Sequence, residues 1–121
     1  MRNRVLENKC LAFAIRIVNL HQFLQQTSKE FVLSKQILRS GTSIGANVAE
    51  AIYAQSRADF FSKIGIAKKE AAETVYWLKL LQKTNYIDSR QFDSMNADNQ
   101  ELLKILTAIT KNFSHEKSYN S

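Results

Sequence analysis

The sequence predicts an all-α protein, an up-down-up-down antiparallel four-helix bundle, and three observations carry that reading. There is no proline and there are only three glycines among 121 residues, which leaves little material for strands joined by tight turns. Apolar residues recur at three- and four-residue steps along most of the chain, the period of a helix with one buried face. The segments so defined run to roughly 24 residues and are separated by only a few, so successive helices must fold back on one another.

The first helix is expected from about Asn3 to Gln26, where Leu6, Cys10, Phe13, Ala14, Ile17, Leu20 and Leu24 fall on one stripe. Thr27-Ser28-Lys29-Glu30 interrupts the pattern. The second is expected from about Val32 to Gln55, burying Leu33, Ile37, Gly41, Ile44, Val48 and Ile52. Ser56-Arg57-Ala58-Asp59 resembles a capping box with Asp in place of Glu and opens the third helix, which runs to about Lys83. Its core line is read as Phe60, Ile64, Ala71, Val75 and Leu78. After the break at Thr84-Asn85-Tyr86-Ile87, Asp88 is a suitable N-cap for the last helix, with Phe92, Met95, Leu102, Leu103, Leu106, Ile109 and Phe113 on one side. The expected domain is therefore residues 1–113, with 114–121, SHEKSYNS, as a frayed tail lacking any apolar period.

Two of the three glycines stand in the stretch RSGTSIGANVAEA, residues 39–51. A glycine inside a helix costs about 1 kcal/mol relative to alanine, and close packing is the compensation to expect. Gly41, Gly45 and Ala49 form a strip of small residues between Leu38 and Ile52. If the second and third helices are antiparallel, residues whose numbers sum to about 113 lie level, and Gly65 comes level with Val48. All three glycines are then expected near the contact of these two helices. The same register places Arg39 beside Glu73 and Glu50 beside Lys63, and ion pairs are expected at both, on the polar face that holds Arg39, Ser43, Asn47 and Glu50.

The third helix carries a second apolar stripe, Ile66, Trp77 and Leu80, well away from its core line, with Glu73 between. A single bundle covers one side of a helix. Covering both sides calls for a neighbouring subunit, so a homo-oligomer is expected with this stripe at its interface; the alternative is a monomer with an exposed tryptophan.

Residues 39–78 also resemble a known family. The pieces that match are Arg39-Ser40-Gly41-Thr42-Ser43-Ile44-Gly45-Ala46-Asn47 with Glu50, then Ser56, Ala58-Asp59-Phe60, the run Ile66-Ala67-Lys68-Lys69-Glu70-Ala71, and Glu73-Thr74-Val75-Tyr76-Trp77-Leu78. Together they resemble the bacterial four-helix bundle proteins related to the product of intervening sequences in 23S ribosomal RNA genes, often labelled ribosomal-protein-like. The resemblance implies a closed four-helix bundle, a ring-like assembly such as a pentamer, and a basic surface. Many family members have glycine where this chain has Ala51. A more distant likeness to accessory proteins of diversity-generating retroelements implies binding of both nucleic acid and protein.

The net charge is +6, from 17 Lys and Arg against 11 Asp and Glu. The excess sits in residues 1–85, which favours a polyanionic partner. Arg2, Lys9 and Arg16 lie close to one line of the first helix, and Lys68, Lys69, Lys79 and Lys83 decorate the third. On one subunit these are solvated charges; around a ring they would sum to a strong field for phosphate backbones. No aromatics interleaved with them to stack bases are evident, which favours structured over single-stranded nucleic acid.

Signs of catalysis are missing. His21 falls near the core stripe and reads as a satisfied histidine, His115 belongs to the tail, and neither has metal-ligand spacing, so no cofactor or metal is expected. Glu70 and Glu73 read as salt-bridge partners. SGTSIG lacks the lysine of a phosphate-binding loop, and Cys10 reads as a buried thiol. No apolar run reaches the ~18 residues of a membrane span, so a cytoplasmic protein is expected. The reading is a non-enzymatic homo-oligomer that binds structured RNA, ribosomal RNA included, or DNA through its lysines and arginines. The alternative is a protein-interaction scaffold or an accessory subunit of a nucleic-acid enzyme.

Overall fold

The structure, a computed structural model, describes the backbone of residues 2–120 and the side chains of residues 2–112. Four helices follow in the expected order, α1 (Arg4–Ser28), α2 (Leu33–Ile52), α3 (Arg57–Lys83) and α4 (Ser89–Asn120). Each packs on the next and α1 packs on α4, which closes the bundle.

Side chains that satisfy the free N–H groups of the first turn set the helix starts. Asn3 caps α1 by accepting the Leu6 N–H at 2.9 Å. Lys29, left-handed at φ 53°, ends that helix, and the Glu30 carboxylate accepts the Ser34 N–H at 2.8 Å to begin the next. The Ser56 box forms, with Ser56 Oγ accepting from Asp59 N–H at 3.0 Å and Asp59 reaching back to Gln55 N–H at 3.1 Å. Asp88 caps α4 in a fully reciprocal box with Gln91, at 2.7 and 2.8 Å.

Two ends differ from expectation. α2 stops at Ile52 rather than Gln55, because Tyr53 N–H and Ala54 N–H turn back to the carbonyls of Glu50 and Ala51 and tighten the last turn. α4 stays helical to Asn120, past the expected end at Phe113. The place of Phe113 in the core and the environment of His115 lie outside the described side chains.

The α1 stripe is buried as expected except for Ala14, which is half-buried. On α3 the buried residues are Phe61, Ile64, Ala67, Ala71, Thr74, Leu78 and Leu81. Phe60 and Val75, expected on the core line, are half-buried. The buried positions Ile64, Ala67, Ala71, Thr74, Leu78 and Leu81 step by three and four alternately, a period of 3.5, so the buried face drifts around the helix and passes beside both residues. Asn99 is fully buried on α4, where its Nδ2 donates to the Ala71 carbonyl at 2.9 Å.

The register of α2 against α3 is the expected one. Arg39 pairs with Glu73 and also with Glu70 at 3.2 Å, and one position on, buried Ser40 meets buried Thr74 at 2.9 Å. Glu50 and Lys63 do not pair among the described residues, and the Glu50 side chain is exposed. The glycines also sit elsewhere. A Cβ on Gly41 would lie 2.7–2.9 Å from Ile17, and one on Gly45 would lie 3.2 Å from Cys10 Cβ, so both serve the approach of α1 to α2. Gly65 faces open space, with nothing within 4 Å of a Cβ. Level with Val48 was correct as a height, but its direction is outward.

Candidate nucleic-acid interface

The seven basic residues singled out from sequence fall into two groups. Those of the N-terminal region are held by acids. Arg2 pairs with Glu7 at 3.2 Å, Lys9 pairs with Glu101, and Arg16 reaches Asp98 at 2.6 Å and Ser94 Oγ at 2.8 Å. The last two pairs stitch α1 to α4, the thinnest helix contact in the bundle. By contrast Lys68, Lys69, Lys79 and Lys83 make no ion pair with a described residue. α3 also carries the largest excess of charge, six Lys and Arg against three Asp and Glu.

The acids of α3 are occupied within the chain. Asp59 is in the cap, while Glu70 and Glu73 turn to Arg39. Glu73 additionally accepts the Trp77 indole N–H at 2.9 Å. That hydrogen bond, reinforced by Arg39, holds the Glu73 carboxyl below the usual carboxylate range, and the bond to Glu73 raises Arg39 in return. Ser43 Oγ donates to the Arg39 carbonyl at 2.6 Å and Asn47 to the Ser43 carbonyl at 2.8 Å. The polar face of α2 is thus a ladder of side-chain to backbone bonds.

The second stripe of α3 is only partly uncovered. Trp77 is half-buried against the core, Leu80 is half-buried, and Ile66 is 38% exposed. Larger apolar exposure lies on the outer face of α1, at Leu11 (64%), Ile15 (54%) and Val18 (37%). Their spacing makes one line, which the sequence reading passed over because the same helix had already supplied a full core stripe. Beside Leu11, a groove floored by Cys10 and lined by Ala14, Gly45, Ala46 and Ala49 separates α1 from α2.

A second missed residue is Tyr76, 58% exposed on the outer face of α3. Its ring meets Trp77 edge to face, with centroids 5.0 Å apart at 74°. The signal was present in the sequence, since Tyr76 stands nearly opposite Ile64, Ala71 and Leu78 in helical phase.

The described residues offer no catalytic constellation. They contain no group of three or more His, Cys, Asp and Glu able to hold a metal. His21 Nδ1 donates to the Ser34 carbonyl at 3.1 Å, a satisfied structural histidine. Cys10 is buried, and desolvation, with the Glu7 charge adding to it, pushes its thiol up to about 12. None of the described helices is long and apolar enough to cross a membrane.

Fold and surface together define a small helical bundle whose third helix presents lysines that are unpaired among the described residues. The family model described as 23S rRNA-intervening sequence protein matches residues 3–108, so the chain belongs to that family. It is also similar to the crystal structure of a protein of unknown function from the S23 ribosomal protein family of Bacteroides thetaiotaomicron. The two are 59% identical with a TM-score of 0.87 over 88% of this chain and 98% of that one. Curated proteins provide no match.

Proposed function

We propose that this protein is a non-enzymatic homo-oligomer that binds structured RNA or DNA through basic side chains, foremost Lys68, Lys69, Lys79 and Lys83. The observation that carries the reading is that these four lysines have no acidic partner among the described residues, on a helix whose own acids are engaged elsewhere. A phosphate backbone supplies the missing counter-charge without requiring sequence recognition. Arg2, Lys9 and Arg16 contribute less, because each would first have to give up a carboxylate. Membership of a family described by an rRNA element is consistent with RNA as the polyanion.

Self-association is supported by the exposed Leu11, Ile15 and Val18, an apolar line that a second copy would cover. Ile66 with the edges of Trp77 and Leu80 would add to it in a ring, such as a pentamer. The same line favours the second reading, a scaffold whose partner is another protein, because apolar contacts suit a protein surface better than a phosphate backbone.

Titration with a 23S rRNA fragment at several salt concentrations tests the proposal. Four lysines predict a slope of log K against log salt between about −3 and −4. Participation of all seven basic residues would steepen it beyond about −5. No binding at low salt overturns the nucleic-acid reading. Sedimentation of a 13.9 kDa particle overturns the oligomer.

A further inference from the structure

We infer that Tyr76 is a stacking platform for an unpaired RNA base, and that the lysines around it hold the flanking phosphates. The inference rests on the nucleic-acid reading above and narrows its ligand to single-stranded stretches, such as a loop or bulge of a folded RNA.

The argument starts from helical phase. Lys69, Tyr76 and Lys83 are seven residues apart and share one line on the outer face of α3, with Lys79 one turn beyond the tyrosine. Two helical turns set each outer lysine about 10 Å from Tyr76 along the axis. A strand laid along α3 therefore meets an ammonium on either side of the ring. Residues 65 and 72, on the same face, are glycine and alanine, and a Cβ at Gly65 would touch nothing within 4 Å. No bulky side chain from that part of α3 stands against the approach of a flat ligand.

The ring is also held from behind. Trp77 packs edge to face against it at 5.0 Å, Trp77 Nε1 donates to Glu73 Oε2 at 2.9 Å, and Glu73 is gripped by Arg39 from the neighbouring helix. An aromatic ring fixed in this way presents its free surface at little entropic cost. Glu73, three residues before it on the helix, shares Arg39 with Glu70, which reduces without cancelling the negative charge on that side of the ring. Charge complementarity separates this occupant from a protein: the apolar, uncharged line on α1 suits a sister subunit, whereas the lysine-flanked tyrosine suits a base between two phosphates.

The experiment uses the full chain, a short oligouridylate and an RNA duplex of equal length at low salt, with binding read by fluorescence anisotropy and by emission of Trp77, the single tryptophan. The wild type is expected to prefer the single strand, with a change in Trp77 emission. Tyr76→Ala should weaken single-strand binding by about 5- to 150-fold, Tyr76→Phe should retain it, and duplex binding should change little in either. Equal binding of strand and duplex, with Tyr76→Ala neutral but Lys69→Glu/Lys83→Glu harmful, overturns the stacking role and leaves the broader reading standing. No binding of either probe by the wild type overturns both. A change of sedimentation coefficient in Tyr76→Ala without a change in affinity assigns the ring to contact between copies and overturns the inference. Circular dichroism melts check that each variant is folded.

Discussion

Gly41→Ala isolates the close approach of α1 and α2. The new methyl group would stand 2.7, 2.8 and 2.9 Å from Cγ1, Cδ1 and Cγ2 of Ile17, closer than real Cβ atoms come. Ile17 cannot swing clear: it is fully buried, and its β-branch leaves one favoured rotamer in a helix. Overpacking of this kind costs about 1–3 kcal/mol, while replacing a helical glycine returns about 1 kcal/mol. The expected net loss is therefore about 1 kcal/mol, or about 4 °C in Tm for a chain of this size. Urea denaturation of a double-mutant cycle supplies the test. In an Ile17→Ala background the three clashing atoms are gone, so the same Gly41→Ala change should stabilise by about 1 kcal/mol, reversing its sign. Equal effects in both backgrounds, or a stabilised single mutant, would refute the assignment of Gly41 to this contact.

Gly65→Ala should do the opposite of Gly41→Ala and raise stability by about 1 kcal/mol in urea melts, because its methyl group meets nothing. Glu73, whose carboxyl is held low by Trp77 and Arg39, binds fewer protons in the folded than in the unfolded state. Its contribution is present above the unfolded carboxylate range and lost as pH falls through the folded value, from about pH 5 downward. Trp77 emission should follow that titration, and in Glu73→Gln the acid-induced change should disappear. Cys10, with its thiol near 12, exposes about one thiolate in ten thousand at pH 8. Its reaction with a disulfide reagent should follow global unfolding, and rapid modification of the native protein would contradict the burial.

The helix starts and the α2 to α3 register were readable in sequence because each depends on local chemistry. Ser56 with Asp59 and Asp88 with Gln91 are caps written in residues three apart. Arg39 and Glu73 are long side chains that tolerate an error of one position. What escaped depended on direction around a helix. Gly65 was given the right height but was turned towards α2, since height follows from counting whereas direction requires knowing how far the buried face has rotated. Tyr76 was missed for a related reason: it was noted only as part of a matching run, and its phase was not compared with that of the lysines. Gly41 and Gly45 looked as if they belonged to the α2 to α3 contact, yet the close neighbours are Ile17 and Cys10 on α1. Periodicity marks a buried stripe without naming the helix that covers it.

The charges show the same division between what counting gives and what packing decides. From sequence, Lys9 and Arg16 look as available as Lys79 and Lys83. In the bundle α4 carries as many acids as bases and lies beside α1, so Glu101 and Asp98 claim the two cations of α1. These pairs are exposed and each contributes little to stability, but they bridge α1 and α4 where the helices touch least. Salt therefore has two targets in this molecule. It screens the α1 to α4 pairs, and, on the function proposed above, it would compete with phosphates for the lysines of α3. A measured salt slope assigns lysines to RNA only if Trp77 emission and the melting curve of the free protein stay constant over the same range.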